Sequence, residues 1–201
     1  MTEQKFIYSK NVIEFVTVAA ETCLFLENSA DFGKIEFVAK ATKILPLLYL
    51  KTTMVDISGL DNDEGIEHFV TEEDYIFVKE QVAELLGPDD SFLEVFDPNM
   101  PFSDTPIAAF ISENLADIYQ ELKDFAANYQ IGEDEIMETS LQTCIEAFAE
   151  HWGQKLLNAL RALHSLQYSD TFGNDEDNTD FNPDDYKKLD RDSFLRFQTE
   201  D

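Results

Sequence analysis

From residue 11 to residue 168 apolar side chains recur every three to four positions, the period of an amphipathic helix. Five such stretches are separated by breaks. The first runs from Asn11 to Glu27, with Ser9 or Asn11 as its cap. At 100° per residue, Val12, Val16, Ala19, Cys23 and Leu26 gather on one face, with Glu14 and Glu21 opposite. The second covers Lys34 to Thr52 and is expected to kink at Pro46, which removes one backbone hydrogen bond. Residues 55–70 read as a polar loop. Thr71 opens the third helix, with Asp74 in the capping-box position, and Gly87-Pro88 closes it.

The fourth helix is expected to begin at SDTP, Pro106 taking the first helical position and Thr105 or Asp104 the cap, and to end before Gly132. The fifth runs from Glu133 to Tyr168, broken or bent near Gly153, where glycine costs about 1 kcal/mol against alanine. A connector through Phe92, Val95, Phe96 and Met100 is apolar enough to pack on the core. The fold class that follows is all-α: about five helices packed as an antiparallel bundle over residues 1–169. Residues 170–201 form an acidic C-terminal tail, partly disordered or folded back on the domain. Its Phe181, Tyr186, Leu189 and Phe194 are more than a purely solvating tail needs.

Charge then narrows the function. The chain has 42 acidic and 14 basic side chains, a formal charge of −28. Like-charge repulsion argues against direct binding to nucleic acid or to an anionic membrane and favours a basic partner. The tail holds 11 acidic and 4 basic side chains, so most of the excess belongs to the helical body. No basic segment leads into an apolar run at the N-terminus, and the run ILPLLYL is too short to span a bilayer. Cys23 and Cys144 sit in apolar contexts without metal or redox spacing and read as buried reduced thiols. The expected compartment is the cytoplasm.

Each catalytic-looking constellation has a plainer account. Glu113, Asp117, Glu121 and Asp124 form a carboxylate row on the fourth helix, the spacing a bundle metal site uses. The row lies opposite the stripe of Ile111, Leu115, Ile118, Leu122 and Phe125, which makes it a solvated face. Phe110 falls among these carboxylates and completes a candidate interaction surface. None of the three histidines has a glutamate three residues before it, as di-metal bundles require. LDNDEGIEHFVTE offers calcium-loop acids but places Ile66 where the turn needs glycine. No nucleophile elbow, phosphate loop or dinucleotide fingerprint occurs. In HWGQKLLNALRALH the two histidines lie about 220° apart on a helix and do not converge. Trp152, Leu156, Ala159 and Leu163 form its apolar face, while Lys155 and Arg161 are placed to neutralise carboxylates of adjacent helices.

KILPLLYLK, EDYIFVKEQVAELLG, SDTPIAAFISENLADIYQELKDF and WGQKLLNALRALH together resemble an uncharacterised bacterial family, a domain of unknown function, over residues 10–168. The resemblance implies a soluble helical protein and brings no activity, cofactor or catalytic residue with it. The leading reading is a non-enzymatic acidic protein that meets a basic protein partner, with no cofactor. One alternative is a metal-binding protein or enzyme whose site joins His68, His151 or His164 to carboxylates such as Glu21. A third is nucleic-acid mimicry, with carboxylate rows on helices standing in for phosphates.

Overall fold

The computed structural model describes residues 6–62, 65–94, 107–169 and 172. The helices are α1 (Lys10–Glu27), α2 (Lys34–Thr53), α3 (Glu72–Leu86), α4 (Ile111–Gln130), α5 (Asp134–Ala147) and α6 (Gly153–Gln167). A π-helical turn over Phe148–Trp152 joins α5 to α6, so the two make one interrupted rod. The fold is predominantly all-α, as the periodicity predicts.

α4 is the central element, packing against α1, α3, α5 and α6, while α2 lies on α1 and α6. Its Ile111, Leu115, Ile118, Leu122 and Phe125 are buried, and Phe125 stacks on Phe15 of α1 with ring centroids 5.1 Å apart. α3 starts where its capping box puts it. The Thr71 hydroxyl accepts from the Asp74 amide, and the Asp74 carboxylate accepts from the Thr71 amide and hydroxyl. These bonds hold the Asp74 carboxyl below the usual carboxylate range. Gly87 ends α3 with φ +57°, a conformation that favours glycine.

The expected start of α4 is corrected. Thr105 and Pro106 lie outside the described residues, and Ala108–Phe110 form a strand, β2, antiparallel to β1 (Ser91–Leu93). Extended pairing takes residues that local signals give to a helix. The first turn of α4 is instead served from a distance: buried Asp90 accepts the Ser112 amide and hydroxyl, both at 2.7 Å. That carboxylate sits where orphan N–H groups and the helix dipole favour negative charge. Phe92 of the apolar connector packs on the core, whereas Val95, Phe96, Met100 and the tail beyond residue 172 lie outside the described residues.

The interruption expected at Gly153 is the π-turn. Gly153 has ordinary helical torsions, φ −62° and ψ −39°. Its absent side chain is what matters: a Cβ there would lie 2.5 Å from the Phe148 carbonyl oxygen and 3.0 Å from the Phe148 ring. Trp152, fully buried, packs edge-on against Phe148 and donates its indole N–H to the Cys144 carbonyl at 2.9 Å. HWGQKLLNALRALH is thus a packing seam. Burial pushes the Cys144 thiol well up, and the Cys23 thiol up to about 12, so neither is a ready thiolate. Among the described residues no helix is long and apolar enough to cross a membrane.

Candidate functional site

Beyond Glu113, whose side chain is 47% exposed, the carboxylate row of α4 is not a solvated face. A central helix has neighbours on every side, so the arc opposite its apolar stripe is covered by α3, by the loop before it and by α6. At one end Glu113 pairs with Lys79 of α3 at 3.2 Å. One turn on, Asp117 accepts the Tyr75 hydroxyl at 2.8 Å and pairs with Lys155 of α6 at 3.1 Å. Desolvation, followed by the bond to Asp117, pushes the Tyr75 phenol upward. Lys155 therefore compensates a neighbouring helix as expected, but Arg161 meets no carboxylate among the described residues.

Asp124, only 3% exposed, accepts the amides of Phe69 and Val70 on one oxygen at 2.7 and 2.8 Å. Its other oxygen is 2.9 Å from Nδ1 of His68, whose ring is largely exposed. One turn further, the Asn128 side chain donates to the Glu67 carbonyl at 2.7 Å. Asp124 and Asn128 together clamp the loop that leads into α3. The buried carboxylate is accounted for by two backbone donors that a loop cannot otherwise satisfy.

Glu121 differs from its neighbours: it is partly buried and makes no hydrogen bond or ion pair among the described residues. Desolvation raises its carboxyl, with His151 and His68 opposing and Asp124 and Asp117 reinforcing the shift. His68 of the loop and His151 of the π-turn thus both act on Glu121. The other predicted ligands do not join them: Glu21 is exposed on α1, and His164 lies against Tyr168 near the end of α6. Among the described residues no group of three or more His, Cys, Asp or Glu side chains is placed to hold a metal ion. Phe110, 41% exposed, ends β2 and precedes α4.

The surface that sequence reasoning missed is the outer face of α3. Glu72, Glu73, Ile76, Phe77, Glu80 and Glu84 are all exposed and fall within about 140° of arc. Ile76 is 39% and Phe77 56% exposed, and the four glutamates make no ion pair among the described residues. The helical wheel carried this signal, since Val78, Val82 and Leu86 bury the opposite face.

Residues 6–169 match the family described as a domain of unknown function, DUF5063. The chain belongs to the DUF5063 family. It is also similar to a solved structure, the crystal structure of protein BF1032 from Bacteroides fragilis, at 46% identity and a TM-score of 0.73. That similarity covers 82% of this chain and 97% of the Bacteroides chain. No curated protein matches the chain. The DUF5063 match spans all six helices and the carboxylate row, and it supplies the fold without assigning a reaction to it.

Proposed function

We propose that this DUF5063 protein is a non-enzymatic interaction protein whose acidic surface receives a basic protein partner. The observation that carries the reading is the outer face of α3, where Glu72, Glu73, Glu80 and Glu84, without an ion pair among the described residues, flank exposed Ile76 and Phe77. Apolar anchors ringed by one sign of charge suit a partner segment with an apolar centre and flanking lysines or arginines. The carboxylates would steer encounter, and burial of Phe77 would hold the complex. The interaction surface read from sequence contracts accordingly. Asp124 is committed to the loop clamp, Asp117 to Tyr75 and Lys155, and Glu121 is partly buried, which leaves Phe110 and Glu113 at the edge nearest the solvent.

The test compares tagged full-length wild type with a Phe77→Ala/Glu80→Lys variant in pull-downs from the native cell at low and moderate salt. Both substitutions are on an exposed face, so the variant should melt like wild type. A basic protein retained by wild type, released by moderate salt and lost from the variant supports the reading. Losing Phe77 removes about 1.5–3 kcal/mol of burial, roughly a ten- to hundredfold loss of affinity. Retention by both proteins, or no basic protein at either salt, overturns it. Salt-sensitive capture of nucleic-acid-binding proteins would shift the reading to phosphate mimicry.

A further inference from the structure

A groove of about 700 Å³ opens between α2 and α6. Pro46, Leu157 and Leu160 give it an apolar wall, and Lys43 and Arg161 give it positive charge. This concentration of cations is out of character for the molecule. Among the described residues every lysine except Lys43 pairs with a carboxylate. Arg161, the single arginine among them, is also unpaired. In a chain of charge −28 the two uncompensated cations lie on different helices yet line the same groove. Pro46 has no N–H to offer the Thr42 carbonyl, so the α2 side also carries an acceptor without its helical donor.

We infer that this groove is a docking site for an acidic, aromatic-bearing peptide segment, and that its occupant is the chain's own tail. Residues 175–186 contain Asp175, Glu176, Asp177, Asp180, Asp184 and Asp185 with Phe181 and Tyr186, and no cation. Their charge complements Arg161 and Lys43, and their rings suit the wall of Pro46, Leu157 and Leu160. Connectivity favours this occupant over a free ligand. α6 runs directly into the tail, and Tyr168, its C-cap, itself lines the groove. The chain already turns back there, with the Phe172 amide donating to the Ser169 carbonyl and the Phe172 side chain packed on the core. A tethered segment meets its site at high effective concentration, so modest contacts suffice. Docked, the tail covers Arg161 and Lys43 and withholds them from other anions.

Zero-length carbodiimide cross-linking of the full-length protein, mapped by mass spectrometry, tests this. The reagent joins an ammonium to a carboxylate in contact with it. Lys43 should link within one chain to acids of 175–185, several-fold above links from Lys10, whose side chain is 84% exposed far along the sequence. Arg161→Glu, at an exposed position, should cut those links several-fold while the melting curve is unchanged. Asp184→Asn/Asp185→Asn, outside residues 6–169, should weaken them too. Raising the salt to 1 M, where the Debye length falls to about 3 Å, should do the same. Tail links spread evenly over exposed lysines, links indifferent to Arg161→Glu, or links formed only between two chains would overturn the proposal.

Discussion

Replacing Asp124 by alanine separates a structural carboxylate from a chemical one. The wild-type side chain accepts two backbone amides, from Phe69 and Val70, with its charge buried on α4. Hydrogen bonds to a charged group contribute about 1.5–3 kcal/mol each, which sets a ceiling near 3–6 kcal/mol for the pair. Phe69 and the His68 ring are exposed, so water reaches part of the vacated site and refills some of that loss. Asp124→Ala is therefore expected to cost about 2–4 kcal/mol, a drop in Tm of roughly 5–15 °C for a domain of this size. Asp124→Asn keeps an acceptor facing both amides and loses only the charge, so it should cost about 1–2 kcal/mol. Urea unfolding measures the totals, and amide hydrogen exchange reads the mechanism, since protection should fall first at Phe69 and Val70. If alanine costs under about 0.5 kcal/mol, or those two amides exchange as in wild type, the clamp is wrong.

Two further substitutions follow from the same helix core. Gly153→Ala would gain about 1 kcal/mol of helix propensity. It would also set a methyl group 2.5 Å from the Phe148 carbonyl, which cannot rotate away, so a net loss of about 1–2 kcal/mol is expected. Thermal melting together with the near-ultraviolet signal of Trp152 reads this, and a stabilised variant would show that the π-turn gives way freely. Glu121→Gln should stabilise the protein at pH 7. Burial raises the folded-state carboxyl above its reference value of 4.5, so the wild-type penalty is absent below that pH and grows as pH rises through the folded value. The stability difference between variant and wild type should vanish near pH 4, and a difference constant from pH 4 to 8 would refute the assignment.

Where local chemistry decided the outcome, the sequence was legible. Thr71 with Asp74, and Gly87 past Leu86, mark α3 within a residue because a cap is satisfied by its immediate neighbours. Gly153 marked the interruption of the last rod, since a glycine amid leucines needs a steric reason, and the Phe148 carbonyl supplies it. The start of α4 was not legible. Its anchoring carboxylate, Asp90, lies 22 residues from Ser112, and the strand that displaces the expected first turn pairs with Ser91–Leu93, also remote in sequence. Asp124 failed for a related reason. A helical wheel correctly sets it opposite the apolar stripe, but an angle says nothing about what covers that arc. On a peripheral helix the opposite arc is solvent, as on α3. On α4 it is a loop and two helices.

The same distinction governs how the acidity is used. Asp90, Asp117, Asp124 and Glu27 each tie elements distant in sequence, Glu27 accepting the Tyr119 hydroxyl at 2.9 Å and the Lys123 ammonium at 2.6 Å. These carboxylates hold the bundle together and are spent on neighbours within it. Net charge therefore overstates the surface offered to a partner, and the relevant carboxylates are those that have no internal tie among the described residues and sit beside exposed apolar side chains, as the outer glutamates of α3 do beside Ile76 and Phe77. The two groups should respond oppositely. Variants of the tied carboxylates lower stability and leave partner retention proportional to the folded fraction. Variants of the outer α3 face lose the partner at unchanged stability. A protein in which both properties moved together from either face would have a single electrostatic surface, and the division drawn between α3 and α4 would not hold.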